Sequence, residues 1–255
     1  MLLAALTLAG CTMRPEPAAE TPPPPTQTPA VTVTPELTPE PTPEPTPEPT
    51  PEPTPKPTPE PTPEPTPYRP DIDVTSWEYI LANADHSIEE YTPELAEIEY
   101  GHKFDVRAAD ALRAFIQGGR DAGLSVVINS SYRSYEEQYY TYWAKVSELG
   151  GNETAAAAIV LPPGTSEHQT GLAADIAYAF VSPKNRSLAN TETFIWMNEH
   201  CAEYGFILRY PEDKEEITKV IYEPWHFRYV GVEAATFMKE ENLCLEEFLA
   251  LYGVE

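Results

Sequence analysis

A proline at every second position constrains the N-terminal part of the chain more than any other feature. The unit Thr-Pro-Glu-Pro recurs with a period of four from Thr38 to Pro65, with Lys56 replacing one glutamate. Because proline fixes φ and lacks a backbone N–H, helix and sheet are both excluded and extended polyproline II is favoured. At roughly 3.1 Å per residue, some fifty residues would reach on the order of 150 Å. Residues 11–70 are therefore predicted to form a disordered, Pro/Thr/Glu-rich stalk without a core.

An apolar run precedes the stalk and ends in Leu8-Ala9-Gly10-Cys11. Small residues before a cysteine at the end of such a run are typical of a lipoprotein signal, whose cleavage leaves the cysteine as a lipid-bearing N-terminus. The run is short and has no basic residue ahead of it, unlike most signals. We expect residues 1–10 to be the signal segment, Cys11 to be lipidated, and the protein to be extracytoplasmic and lipid-anchored to the cell membrane.

Residues 71–255 have the composition of a globular protein and are numerous enough for one domain with a sizeable core. The chain carries a net charge of −25. Residues 1–70 hold nine glutamates against three basic residues, a net charge of −6, so −19 belongs to the globular part. This charge disfavours binding to nucleic acid or anionic lipid. No nucleic-acid partner is expected, and we expect a monomer.

Hydrophobic periodicity predicts both strands and helices in residues 71–255, and the fold that we expect is α+β, with a small, mainly antiparallel sheet flanked by helices. Ser134 is predicted to cap the second long helix, whose Glu136 and Glu137 suit its positive end. Strands are predicted at 124–129, 172–177, 205–210 and 225–229. Helices are predicted at 77–82, 106–122, 135–149, 153–160, 191–204, 232–240 and 243–251, and a turn at 211–216.

Two stretches carry the residues with the clearest chemistry, PGTSEHQTGLAADIA and IYEPWHFRYVG. They supply His168, Asp175 and His226, the ligand set that a zinc ion with one open coordination position would use. Gly171 permits a sharp turn after the first ligand, and the strand that follows would carry Asp175 on the face opposite the core. Glu223 lies three residues before the last ligand and is the candidate base.

This constellation predicts metal-assisted amide hydrolysis. Zinc would lower the pKa of a bound water to roughly 7 and polarise a carbonyl, while Glu223 would take the proton and pass it to the leaving amine. A lone histidine is more often a surface or core residue than a ligand, so His86, His102 and His200 are expected to have other roles. The prediction of a metal site depends on two motifs that occur together in the same chain: S-x-H-x-x-G-x-x-x-D, followed by E-x-W-H.

These motifs resemble those of the VanY-type zinc D-alanyl-D-alanine carboxypeptidases, relatives of VanX and of the LD-carboxypeptidases that trim peptidoglycan stems. The resemblance is carried by Ser130-Ser131-Tyr132-Arg133-Ser134 with Gln138, by Ser166 to Asp175, and by Glu223-Pro224-Trp225-His226. It extends from about Ile80 to the C-terminus. It implies a Hedgehog/DD-peptidase-like fold for residues 71–255 and a peptidoglycan stem peptide as substrate, with the stalk reaching into the cell wall.

By this resemblance, His168, Asp175 and His226 are zinc ligands, Glu223 is the catalytic base, and Arg133 stabilises the polarised carbonyl or holds the substrate. A lysine could not copy the paired donors of an arginine at that place. The substrate-binding residues expected beside Arg133 are Gln138, Ser166 and Trp225.

Several alternatives stay open at this stage. The same chemistry would serve an LD-carboxypeptidase acting on tetrapeptide stems or a peptidoglycan endopeptidase, because the choice of bond depends on pocket shape. A binding module that grips wall peptide without cleaving it is a different class, against which Glu223 argues. Cys201 and Cys244 are compatible with a disulfide or with simple burial.

Overall fold

The computed structural model describes residues 68–254. The predicted signal segment, the predicted lipidation site Cys11 and the stalk up to residue 67 lie outside the described residues. None of the helices among residues 68–254 is long and apolar enough to span a membrane.

The described part is an α+β fold of six strands and seven α-helices, joined by short 3-10 turns. The strands are β1 Leu95–Glu97, β2 Lys103–Asp105, β3 Val127–Ser130, β4 Ala173–Ala177, β5 Phe206–Leu208 and β6 His226–Tyr229. The helices are α1 Ala109–Asp121, α2 Tyr135–Glu148, α3 Glu153–Ala157, α4 Glu192–His200, α5 Glu215–Thr218, α6 Val232–Glu240 and α7 Leu245–Ala250.

The central sheet has four strands in the order β3-β4-β6-β5, and every neighbouring pair is antiparallel. Strands β1 and β2 form a separate antiparallel pair. In the register of the central sheet, Asp175 of β4 lies opposite His226 of β6 and is also paired with Ser130 of β3. Two of the predicted ligands are therefore direct neighbours across adjacent strands.

One face of the sheet packs on α1 and α4. Leu172, Ala174 and Ile176 belong to this core, together with Leu112 and Phe115 of α1. Because side chains alternate along a strand, Asp175 lies on the opposite face, as its spacing predicts. A second apolar cluster joins Ile207 of β5 to helices α6 and α7.

Ser134 caps helix α2 through a reciprocal capping box. Its hydroxyl accepts from the Glu137 backbone N–H, and the Glu137 carboxylate accepts from the Ser134 backbone N–H. The predicted cap and the start of this helix are confirmed. The box fixes the chain direction immediately after Arg133, and so places that side chain.

Four predicted elements differ from the structure. The helix predicted at 77–82 is a single 3-10 turn, Trp77–Tyr79. The helix predicted at 153–160 ends at Ala157, ahead of two consecutive prolines at 162 and 163. The turn predicted at 211–216 is instead a 3-10 turn, Glu212–Lys214, followed by α5.

The acidic segment is contacted by an arginine that lies far from it in the sequence. Arg186 forms ion pairs with Glu212 and Glu215, which offset the repulsion among neighbouring carboxylates. Because Arg186 is far from both glutamates in the sequence, a local sequence pattern cannot predict these ion pairs. The helix predicted at 191–204 is α-helical only as far as His200, and it continues as a 3-10 turn from Cys201 to Tyr204.

Cys201 and Cys244 are both free and buried, so the disulfide that the sequence left open is absent from the described residues.

Candidate metal centre

His168 is fixed by a short turn and two backbone contacts. It lies in the 3-10 turn Glu167–Thr170, which ends at Gly171 with a left-handed φ of +72°. A Cβ at position 171 would lie 3.1 Å from the backbone nitrogen of Asp105, so both φ and space favour glycine, as predicted. His168 Nδ1 lies 2.7 Å from the Ser131 carbonyl oxygen, and the Arg133 backbone N–H donates to the His168 carbonyl.

The contact with Ser131 decides the tautomer of His168. Since a carbonyl can only accept, Nδ1 must carry the hydrogen, and the Nε2 lone pair is left for a metal. His168 Nε2 lies 3.5 Å from Asp175 Oδ1. Burial, reinforced by the charge of Arg133, lowers the pKa of His168 to about 4, so the imidazole is neutral at physiological pH.

Asp175 and His226 complete a three-donor cluster. Asp175 Oδ1 lies 3.1 Å from His226 Nδ1, and the two imidazole rings are 5.0 Å apart between centroids. Ligand atoms from the three residues all lie within 4.8 Å of one another, and all three residues are buried. Burial alone would raise the pKa of Asp175, but the charge of Lys184, together with the contacts to His168 and His226, outweighs it and holds that pKa well below its usual range.

Two imidazoles and one carboxylate suit zinc with an open position. The surroundings fit as well, because ligating histidines usually donate their second ring N–H to a carbonyl or carboxylate. His168 meets this condition through Ser131. For His226, the corresponding group is the Glu167 carboxylate, whose Oε2 lies 3.5 Å from His226 Nε2. Neither of these two atoms has a hydrogen-bond partner among residues 68–254.

Glu167 was not singled out by the sequence analysis, yet its carboxylate lies next to His226 and pairs with two buried arginines. Glu167 Oε1 accepts from Arg209 Nε and from Arg228 Nη1, both at 2.7 Å, and all three side chains are fully buried. Burial would raise the pKa of Glu167, but these two guanidinium groups lower it. Arg209 in turn forms a bidentate pair with Glu246 of α7.

Glu223 lies beside the cluster with its Oε2 3.7 Å from His226 Nδ1. Burial raises its pKa to about 7, against the opposing influence of His226. A base of this pKa can both take and return a proton near neutral pH. Its backbone N–H donates to the Tyr210 carbonyl, which fixes the segment ahead of β6.

A cavity of about 360 Å³ opens onto the cluster. All eight catalytic, substrate-binding and metal-ligating residues predicted from the sequence line this cavity: Arg133, Gln138, Ser166, His168, Asp175, Glu223, Trp225 and His226. The three remaining histidines, His86, His102 and His200, contact other groups and lie outside the cluster.

Arg133 is half-buried, lines the cavity and is held by neighbouring side chains. Its Nη1 donates to Gln138 Oε1, and its Nη2 donates to Ser130 Oγ at 3.1 Å. Gln138 also donates its Nε2 to the Leu161 carbonyl, so both ends of its amide are in use. Gln138 thus positions Arg133. A second basic residue that the sequence analysis did not identify, Lys184, donates to Asp175 Oδ2.

The fold and the buried donor cluster with an acid beside it define a metallopeptidase-type hydrolase. The sequence model of the VanY family, D-alanyl-D-alanine carboxypeptidase, matches residues 101–232. The chain belongs to this family.

Known relatives agree with this assignment. The chain is 38% identical over 185 residues to a D-alanyl-D-alanine carboxypeptidase of Enterococcus faecalis (strain ATCC 700802 / V583), covering 69% of this chain and 67% of the relative. It is similar to the crystal structure of a VanY D,D-pentapeptidase mutant from a VanB-type resistance cassette in complex with Zn(II), with 38% identity, a TM-score of 0.61, and coverage of 68% and 99%.

A third likeness is to the LdcB LD-carboxypeptidase, with 37% identity, a TM-score of 0.60, and coverage of 67% of this chain and 84% of that one. The resemblance and the fold class predicted from the sequence are confirmed.

Proposed function

We propose that this protein is a zinc-dependent D-alanyl-D-alanine carboxypeptidase that removes the terminal D-alanine from peptidoglycan stem peptides. The observation that carries the proposal is the three-donor cluster of His168, Asp175 and His226 with Glu223 3.7 Å from one of its nitrogens. The family's activity and the Zn(II) in a related structure support it.

Each residue has a role that follows from its position. Zinc, when bound, supplies a Lewis acid and an activated water. Glu223 takes the proton of the attacking water and returns it to the leaving amine, because its carboxylate lies beside the donor cluster. Arg133 holds the carbonyl oxygen or the substrate carboxylate with paired donors, since Gln138 and Ser130 fix its guanidinium. Ser166 and Trp225 line the same cavity and contact the peptide.

A second candidate is an LD-carboxypeptidase acting on tetrapeptide stems. The similarity to the LdcB LD-carboxypeptidase favours it, because that similarity is nearly as high as the one to the VanY structure. The two activities differ in the stereochemistry of the residue before the cut.

Defined stems distinguish these candidates. Residues 68–255 should be incubated with tri-, tetra- and pentapeptide stems, with and without a chelator, and the products read by mass spectrometry. We expect one alanine to be lost from the pentapeptide alone, and no loss under the chelator. Loss from the tetrapeptide would favour the LD activity instead, and cleavage that persists under the chelator would contradict a metal mechanism.

We further propose that the enzyme is anchored to the membrane through a lipid on Cys11 and reaches the wall on its proline-rich stalk. The sequence Leu8-Ala9-Gly10-Cys11 supports this location. The full chain, expressed in a bacterium that processes lipoproteins, is expected in the membrane fraction with a lipid mass on its N-terminal peptide. Cys11→Ser is expected to leave that fraction, and retention of the variant there would contradict the anchor.

A further inference from the structure

The cavity is a basic region in an acidic protein. Among the described residues that line it, the only carboxylates are Asp175 of the ligand cluster and Glu223, the proposed base. The other charged side chains are Arg133, Lys145 and Lys184, and all three are basic. With a net charge of −25 on the chain, this local excess of positive charge favours an anionic ligand in the cavity.

Two of these cations are already engaged at the metal centre. Arg133 is half-buried and held by Gln138 and Ser130, and Lys184 is paired with Asp175. Neither can move far from the reacting bond without losing these contacts. In the proposed function, these two cations would bind the C-terminal carboxylate and the scissile carbonyl of the substrate.

Lys145 has a different environment. Its partner is Glu148, one turn further along α2, and the Glu148 side chain is 66% exposed. An ion pair of this kind on a helix surface contributes little to stability. Lys145 can therefore exchange Glu148 for a substrate carboxylate at low cost. Its own side chain is only 22% exposed, so a pair formed on the cavity side is better shielded from water.

The spacing along α2 places Lys145 at a defined distance from the reacting end of a peptide. Gln138, Thr141 and Lys145 share the face of α2 that lines the cavity. Gln138 and Lys145 are seven positions apart, which corresponds to roughly 10 Å at about 1.5 Å per residue. An extended peptide advances about 3.3 to 3.6 Å per residue, so roughly three residues cover this distance. Because Gln138 holds Arg133, the residue beside Lys145 lies about three positions N-terminal to the group that Arg133 contacts.

We propose that Lys145 is a specificity-determining residue that selects stem peptides with a free carboxylate about three positions N-terminal to the end held by Arg133. The inference rests on the proposed carboxypeptidase function. Two parts of a stem could supply the carboxylate: the α-carboxyl of a γ-linked glutamate, or the side-chain carboxyl of a diamino dicarboxylic acid. The chemistry at Lys145 is the same for both.

The test uses pentapeptide stems in which each of these two carboxyls is either free or converted to a carboxamide. For the parent, the ratio of kcat/KM for the free form to kcat/KM for the amide is expected to be about five at the position that Lys145 contacts, in the range of a partly shielded ion pair. In Lys145→Gln this ratio is expected to fall to about one, and in Lys145→Glu the amide is expected to be preferred. The carboxyl group whose amidation lowers kcat/KM in the parent, but not in Lys145→Gln, is the one that Lys145 contacts.

The readout is a ratio measured within each variant, so a change in folded fraction cancels. Lys239→Gln is the matched control, because Lys239 is exposed on α6 and lies outside the cavity, and it should keep the parent ratio. An unchanged ratio in Lys145→Gln, or a parent ratio of one for both carboxyls, would overturn the role of Lys145. If the parent cleaved none of the four stems, the proposed carboxypeptidase function itself would fail.

Discussion

Glu223→Gln is expected to lower kcat by about 10³-fold or more while leaving zinc bound, in the upper part of the range for loss of a positioned general base. Glutamine keeps the shape of the side chain but cannot take a proton from water. The three proposed ligands are untouched, so zinc content measured by elemental analysis should stay at about one ion per chain.

Glu216→Gln provides the control for this result. Glu216 is an exposed glutamate on α5, outside the cavity, and its substitution removes the same charge from the chain. It is expected to retain parental kcat. Turnover by Glu223→Gln at the parental rate would show that another group acts as the base.

Glu223→Gln is expected to stabilise the folded protein, although it removes activity. Burial raises the pKa of Glu223 from its ordinary 4.5 to about 7, so the folded state binds this proton more tightly than the unfolded state does. The stability that protonation contributes is present below about pH 4.5 and is lost as pH rises through about 7. In metal-free protein at pH 8, Glu223→Gln should therefore raise the free energy of unfolding by about 2 kcal/mol, and at pH 4 by much less. Urea denaturation at the two pH values, with chelator present, measures both quantities.

His168→Ala and His226→Ala are each expected to abolish zinc binding and activity. Removing either imidazole leaves two protein donors, fewer than catalytic zinc sites normally provide. We expect less than about a tenth of an ion per chain after dialysis, and a fall in kcat/KM on the order of 10³-fold or more.

His200→Ala is the matched control for these two variants. His200 pairs with Glu203 on the surface and lies outside the donor cluster, so its loss should leave zinc content unchanged. Circular dichroism would establish that all three variants are folded. Full zinc occupancy in His168→Ala or in His226→Ala would contradict the assigned ligand set.

The structure brings His168, Asp175 and His226 together, and for Asp175 the local sequence pattern explains why its position could be predicted. Asp175 alternates with Leu172, Ala174 and Ile176, whose apolar side chains fix the face on which it lies. The capping box at Ser134 is likewise a pattern within four residues. Both features depend on neighbours in the chain, and both are found where the sequence predicts them.

The supporting residues depend on distant contacts and were missed. The role of Glu167 becomes visible only when Arg209, directly after β5, and Arg228 of β6 donate to its carboxylate. A glutamate beside a ligating histidine has no periodic signal that distinguishes it from a solvated one. Likewise, the pairing of Lys184 with Asp175 depends on the loop that follows β4. The acidic segment after Pro211 was predicted as a turn because its neutralising partner, Arg186, lies 26 residues from Glu212.

The buried charges of Glu167, Arg209 and Glu246 have a consequence for the order of folding. The three proposed ligands lie on elements that precede α7, yet the second carboxylate that balances Arg209 comes from that helix. While α7 is undocked, Arg209 and Arg228 share the single carboxylate of Glu167 beneath the site. Firm capture of the ion should therefore wait for the docking of this C-terminal helix.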